Sequence, residues 1–254
     1  MLDTVWQTVV GACRELDAAG FPYQVKLTVV DNSDPSDPCL DAFRERYPKA
    51  AIDLLSGHGN IGFGAGHNLA MKSLDSDYHI VLNPDVELAP DTILEALRFM
   101  QAHPECGLLA PAVFEPKGEQ QFLCKRYPTI FDLFLRGFAP HWLANRFRSR
   151  LDRYEMRDAV GDSVLWDPPI VSGCFMLFRT EVLKRLGGFD PRFFLYLEDF
   201  DLSIRASRIS HIAYVPQVRI VHHGGYAARK GFMHVRMFVA SAVKFYIKNG
   251  WKWL

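Results

Sequence analysis

Cysteine is scarce in this chain and poorly placed for chemistry. Five of its 254 residues are Cys, at positions 13, 39, 106, 124 and 174. The number is odd, and no two have the close spacing of a zinc or redox motif. That pattern points to a reducing, cytoplasmic setting and away from a disulfide scaffold. No run of about 18 apolar residues occurs, so no membrane-spanning helix is expected. No basic-then-apolar leader opens the chain, and no repeat or low-complexity tract interrupts it. Neither sign of charge dominates, because Lys+Arg and Asp+Glu both total 29. A nucleic-acid binder usually carries a basic excess, so that class is disfavoured.

What is present suffices for a core. Hydrophobic residues make up 49% of the chain and charged residues 23%, the composition of a globular protein rather than a disordered one. The length fits one large α/β domain. Leu2, Val5, Trp6, Val9, Val10, Cys13 and Leu16 recur at helical spacing, so the chain is expected to open on an amphipathic helix. Strand and helix patterns then alternate: "YQVKLTVVD", "CLDAFRERY", "AIDLL", a glycine-rich loop with a helix starting near Gly66 or His67, "YHIVLNPDV", "APDTILEALRFMQAH" and "CGLLAPAVF". This alternation predicts a mostly parallel, mixed central sheet flanked by helices. Residues 115–165 mix aromatic and basic side chains without a clear period. "PIVSGCFMLFR", "TEVLKRLGG", "FLYLEDFDLSIRASR" and "HIAYVPQVRIVHHGG" restore the pattern, and a last helix carries Val235, Phe238, Val239, Ala242, Val243 and Tyr246.

Ligands of open α/β sheets lie beyond the carboxyl ends of the strands. Asp31, Asp85 and the pair Glu198-Asp199 each follow an apolar run, and His222-His223 follow another. Asp85, helped by Asn83, suits a hard divalent cation, and the same residues also suit a Pro-containing turn. Glu198 and Asp199 suit a general base, since crowded carboxylates raise one another's pKa; they equally suit the acidic start of a helix. His222 reads as a metal ligand or as a polar strand end. Gly57, Gly59 and Gly62 spell a literal G-x-G-x-x-G, a weak dinucleotide signal that keeps a nicotinamide-dependent dehydrogenase open as an alternative.

Taken together, "VVDNSD", "GNIGFGAGHN", "LNPDV", "VSGCFMLFRTEVLKRLGGFDPRFFLYLEDFDLSIRA" and "VHHGG" resemble the inverting GT-A glycosyltransferases of family 2, in particular the rhamnosyltransferase-like branch. The resemblance covers about residues 25 to 250. It implies a GT-A fold, with residues 1–114 as the nucleotide-sugar half and 115–254 as the acceptor and catalytic half of one continuous domain. It implies that Asp31 meets the imide of a uracil or thymine base, and that Asn60, Gly62, His67 and Asn68 border the nucleotide. Asp85 matches the last acid of the family's D-x-D, with Asn83 in place of the first, and His222 matches a late metal-ligating His. The implied cofactor is Mg²⁺ or Mn²⁺. Asp199 matches the catalytic base, with Glu198 beside it near the acceptor. His67 stands where many relatives have Arg. Relatives open on an apolar strand and this sequence starts at the following helix, so that strand is expected to be either missing or cut off by truncation of the sequence.

The implied reaction moves a sugar, by resemblance L-rhamnose from dTDP-L-rhamnose with UDP-sugars open, to a hydroxyl of a glycan or lipid-linked glycan in surface polysaccharide synthesis. The expected location is the cytoplasm, with peripheral contact on the cytoplasmic membrane face. A non-catalytic sugar-nucleotide-binding protein and a nucleotidyltransferase stand as further alternatives.

Overall fold

A computed structural model of the chain describes residues 2–33, 39–47, 52–224 and 231–254. It opens on α1 (Leu2–Ala18), where Val5, Val9, Ala12 and Leu16 form one buried stripe, as the helical spacing requires. β1 (Leu27–Val30) and β2 (Ile52–Leu55) are joined through α2 (Cys39–Arg46) and pair in parallel as a sheet of their own. α3 (Phe63–Ala70) starts directly after Gly62, several residues earlier than the sequence suggests. Its Gly64 and Gly66 face buried surroundings, which is why glycines that read as loop are helical here.

The expected strand "YHIVLNPDV" is two strands, β3 (Tyr78–Leu82) and β4 (Val86–Leu88). Pro84 has no N–H to offer a ladder, and the chain turns at Asn83-Pro84-Asp85. α4 (Thr92–Ala102), β5 (Cys106–Phe114) and β6 (Gln120–Gln121) follow. The aperiodic stretch holds three short helices, α5 (Ile130–Gly137), α6 (His141–Arg146) and α7 (Arg148–Tyr154). α5 is fixed by a capping box in which Thr129 and Asp132 exchange side-chain and backbone hydrogen bonds, satisfying donors that a helix start leaves open. β7 (Leu165–Trp166), β8 (Phe175–Arg179), α8 (Thr180–Leu186), α9 (Glu198–Ala206), β9 (His211–His222) and α10 (Phe232–Asn249) complete the chain.

The larger sheet runs β3-β8-β5-β9-β4, with β6 on β5 and β7 on β9. It is mixed: β5 and β9 are parallel, while β3/β8, β8/β5, β9/β4, β5/β6 and β7/β9 are antiparallel. α1 and α4 cover one face through Leu16, Met100, Val113 and Val215, and Leu183, Phe189 and Leu202 cover the other against Met176 and Phe178. A third cluster joins Tyr154, Phe193, Leu197, Phe245 and Tyr246. It seats α10 against the start of α9. β8 and β9, from the second half of the chain, lie among strands of the first half.

Candidate active site

The turn after β3 forms one wall. Leu82 pairs with Phe175 of β8, and the Asn83 N–H donates to the Cys174 carbonyl at 2.9 Å. The Val86 N–H returns to the Asn83 carbonyl at 3.3 Å, closing the turn. Val86 then pairs opposite His222, so Asp85 and His222 become neighbours. Asp85 Oδ1 lies 3.5 Å from His222 Nε2. The chain passes over both at Gly224, where a Cβ would stand 2.4 Å from His222 Nε2 and 2.8 Å from Asp85 Oδ2. Gln121 fixes the imidazole. Its amide nitrogen donates to the His222 carbonyl at 3.3 Å, which turns its oxygen to His222 Nδ1 at 3.1 Å. Nδ1 therefore carries a proton, and Nε2 faces Asp85.

Asn83 Oδ1 and Asp85 Oδ1 are buried and accept no hydrogen bond among the described residues. Buried acceptors without donors are costly. One carboxylate, one amide oxygen and one imidazole nitrogen fit a hard divalent cation. No group of three His, Cys, Asp or Glu gathers here among the described residues, so the set is an open one that substrate oxygens would complete.

The second wall is the start of α9. Tyr196 and Leu197 both have positive φ, 73° and 64°, a conformation costing bulky residues about 1–3 kcal/mol each. Tertiary contacts hold it: Leu197 is buried, Ser241 Oγ of α10 donates to the Leu195 carbonyl at 2.7 Å, and the Tyr196 hydroxyl meets His234 Nδ1 at 2.7 Å. The double left-handed step delivers Glu198 and Asp199 to the site. Asp199 Oδ2 accepts from the Gly173 N–H at 2.8 Å and Oδ1 from the Phe200 N–H at 2.9 Å. Gly173 permits this approach, since a Cβ there would lie 3.0 Å from Asp199 Cβ.

Burial raises the pKa of Asp199, and the two backbone N–H groups and the Arg136 guanidinium oppose the rise. Burial, and then the Asp199 charge, push Glu198 up to about 8. Glu198 Oε2 accepts no hydrogen bond among the described residues. Asp199 is thus the carboxylate supported in its charged form, and Glu198 the one that keeps its proton near neutrality.

The two walls meet at consecutive residues. Gly173 holds Asp199 through its N–H, and Cys174 holds Asn83 through its carbonyl. The Cys174 thiol senses both acids: burial pushes it up to about 12, and Asp199 and Asp85 add to the rise. Neither Gly173 nor Gln121 carries a sequence signal strong enough to single it out, although the glycine ahead of an apolar strand is a usable hint.

The glycine loop lies at the β1 end. Asp31 Oδ1 accepts from the Ser33 N–H at 3.0 Å and from its hydroxyl, and Asn60 Oδ1 accepts from the Gly62 N–H at 3.0 Å. Asn32 ties the two segments by donating to the Gly62 carbonyl at 2.8 Å. Gly62 has φ +92°, and a Cβ there would lie 2.4 Å from the Phe194 carbonyl oxygen. The last glycine of the G-x-G-x-x-G therefore answers to protein backbone.

His67 and Asn68 turn elsewhere. Asn68 donates to the Phe189 carbonyl and accepts from the Phe189 N–H, both at 2.8 Å. Its amide braces α3 to the loop after α8, and a nucleotide contact through that amide is closed while the brace holds. The His67 ring packs edge-on against Phe63 at 4.6 Å and beside Phe189 at 5.7 Å. Burial, and after it the charge of His79, lower its pKa to about 4.

Known proteins resemble this chain over most of its length. N-acetylglucosaminyl-diphospho-decaprenol L-rhamnosyltransferase of Mycobacterium tuberculosis is 29% identical over 216 residues, 78% of this chain and 66% of the relative. The chain thus spans just under two thirds of that relative's length. Rhamnosyltransferase WbbL of Escherichia coli K12 is 26% identical over 240 residues, 90% of this chain and 81% of the relative. Mannosyltransferase PcManGT from Pyrobaculum calidifontis, solved with GDP-Man and Mn²⁺, shares the fold at TM-score 0.56 and 19% identity, covering 96% of this chain and 61% of that one. The sequence model described as glycosyltransferase-like family 2 matches residues 18–254, and the chain belongs to that family.

Proposed function

We propose that this chain is an inverting glycosyltransferase that moves a sugar, L-rhamnose from dTDP-L-rhamnose, to a hydroxyl of a glycan or lipid-linked glycan in surface polysaccharide synthesis. The observation that supports this reading is the join at Gly173 and Cys174, consecutive residues that bond the buried Asp199 carboxylate and the Asn83 backbone. The names of the rhamnosyltransferase relatives support the sugar and the acceptor class.

Asp85, His222 and Asn83 would hold Mg²⁺ or Mn²⁺ with the donor diphosphate. The cation supplies positive charge against that growing on the leaving nucleoside diphosphate. Asp31, Asn60 and Gly62 border the base and ribose, with His67 and Asn68 supporting the helix behind them. Asp199 takes the proton of the acceptor hydroxyl as its oxygen bonds to the anomeric carbon. The bond from that carbon to the diphosphate oxygen breaks in the same displacement, and the configuration inverts. Glu198, protonated beside it, donates to the acceptor and keeps the second negative charge out of the site.

The protein works at the cytoplasmic membrane face. No described helix is long and apolar enough to cross a membrane. On α10, however, Phe232, Val239, Val243 and Ile247 form an exposed apolar stripe beside Lys244 and Lys248, a pattern suited to interfacial contact.

The test is release of dTDP from dTDP-L-rhamnose with Mn²⁺ present. Asp199→Asn is expected to lower kcat by about 10²–10⁴-fold with the fold intact by circular dichroism. Unchanged turnover in that variant would refute the assignment of the base. If the wild type binds dTDP but never turns over donor, the chain is a non-catalytic sugar-nucleotide-binding protein.

A further inference from the structure

A cavity of about 210 Å³ lies between α5, α7 and the segment after α10. Arg126, Arg150, Arg153 and Lys252 line it, with Asp132 as the one acid among the lining residues. Arg126 is held by a two-pronged pair with Asp158, both contacts 2.9 Å, and Arg150 by Asp132 at 2.5 Å and Thr129 at 2.9 Å. These two guanidinium groups are fixed in place and keep further N–H donors. The side chains of Arg153 and Lys252 donate no hydrogen bond and form no ion pair among the described residues. Lys252 is delivered by its own backbone: the carbonyls of Lys252 and Trp253 accept from the Ile130 and Phe131 N–H groups at 2.9 and 3.4 Å. Those are the opening N–H groups of α5, which lack partners inside the helix.

Two further observations give the cavity a ligand and a direction. Tyr154, 3% exposed, lines it, and its buried hydroxyl has no hydrogen-bond partner among the described residues. Tyr154 packs in one buried cluster with Leu197, the residue before the Glu198-Asp199 pair, so this wall backs onto the start of α9. On the outer side, Tyr246, Trp251 and Trp253 stack with centroids 5.4 and 5.5 Å apart, and Trp253 and Leu254 are 66% and 80% exposed. A cationic cavity with an apolar, aromatic lip matches a molecule with a phosphate head and a hydrocarbon tail.

We propose that this cavity is a second anion site, separate from the donor diphosphate, which takes the phosphate or diphosphate of a lipid-linked acceptor. Arg153 and Lys252 contact the phosphate oxygens, and Tyr127 and Leu254, which line the same cavity, meet the first carbons of the lipid. The word "acceptor" rests on the glycosyltransferase reading above, whereas the anion site itself does not.

The test is a tryptophan-fluorescence titration of the full chain with farnesyl diphosphate and, separately, inorganic pyrophosphate, in EDTA. Farnesyl diphosphate is expected to bind wild type and Asp85→Asn alike. Arg153→Gln combined with Lys252→Gln should weaken it at least about tenfold, with a shallower salt dependence. If the double variant does not fold, Lys252→Gln alone should weaken binding about threefold. Equal binding in wild type and the charge variants, or loss of binding in Asp85→Asn, overturns the proposal. Equal affinity for pyrophosphate overturns the lipid half of it. No transfer step enters this assay. A chain that binds farnesyl diphosphate but never releases dTDP keeps this site and loses the enzymatic reading, and the reverse result loses only the site.

Discussion

Glu198 ionises near its ordinary value in the unfolded chain and at about 8 in the fold, because it is buried beside a second acid. Between those two values the folded state holds the extra proton, so stability falls as pH rises through that window. Glu198→Gln removes this dependence. Its Tm is expected to exceed wild type's at about pH 8, by roughly 2–4 °C per kcal/mol recovered, and to match it near pH 4. Scanning fluorimetry across that range reads the difference, and a pH-independent gap would contradict the burial argument. At this scale the sequence exposes the acids well, because Asp85 and Asp199 each follow an apolar run, although only the run before Asp85 is a strand; the run before Asp199 is irregular chain that enters α9. It hides the residues that orient them. Asn68 finds Phe189 at a distance of 121 residues and Gln121 finds His222 at 101, and no local pattern announces either pairing.

Among the elements, α3 and α1 respond oppositely to the same substitution. Gly62→Ala at the head of α3 meets both a positive φ and the Phe194 carbonyl. It is expected to cost about 1–3 kcal/mol or more in urea denaturation. Gly11→Ala within α1 meets nothing within 4 Å and is expected to stabilise by about 0.5–1 kcal/mol through helix propensity. α3 also carries a pH signature with β3. His67 and His79 are each lowered to about 4 by burial, and the charge of His79 adds to the effect on His67. The unfolded chain binds their protons first, so stability present above about pH 6.5 is lost as pH falls toward 4. His79→Gln should flatten the acid limb of a Tm–pH curve, and an unchanged limb would count against this origin. The helical period of α1 was readable because one face is buried along its whole length. The start of α3 was not, because its glycines are chosen by contacts with Asn32 and Phe189. Strand direction was equally hidden, since an apolar run looks the same whether its neighbour is parallel or antiparallel.

At the scale of the molecule, α10 sustains the backbone that presents Asp199, the proposed base. Ser241→Ala strips the donor from the Leu195 carbonyl, a loss of about 1–3 kcal/mol if that group stays buried. Because Tyr196 and Leu197 follow directly, the variant is expected to lower kcat while leaving the KM for donor near wild type. A raised KM with unchanged kcat would place the effect elsewhere. The weaving of strands in the order β3-β8-β5-β9-β4 was not legible in composition, since it depends on partners far apart in the chain. The join at Gly173 and Cys174 has a consequence for how such a protein can diversify. Sliding β8 by a single residue along β3 would carry the carbonyl away from Asn83 and the amide away from Asp199 in one movement. New sugars and new recipients must therefore be accommodated at the periphery, in the glycine loop or the α5–α7 cleft, around a hinge pin whose two ends cannot be adjusted separately.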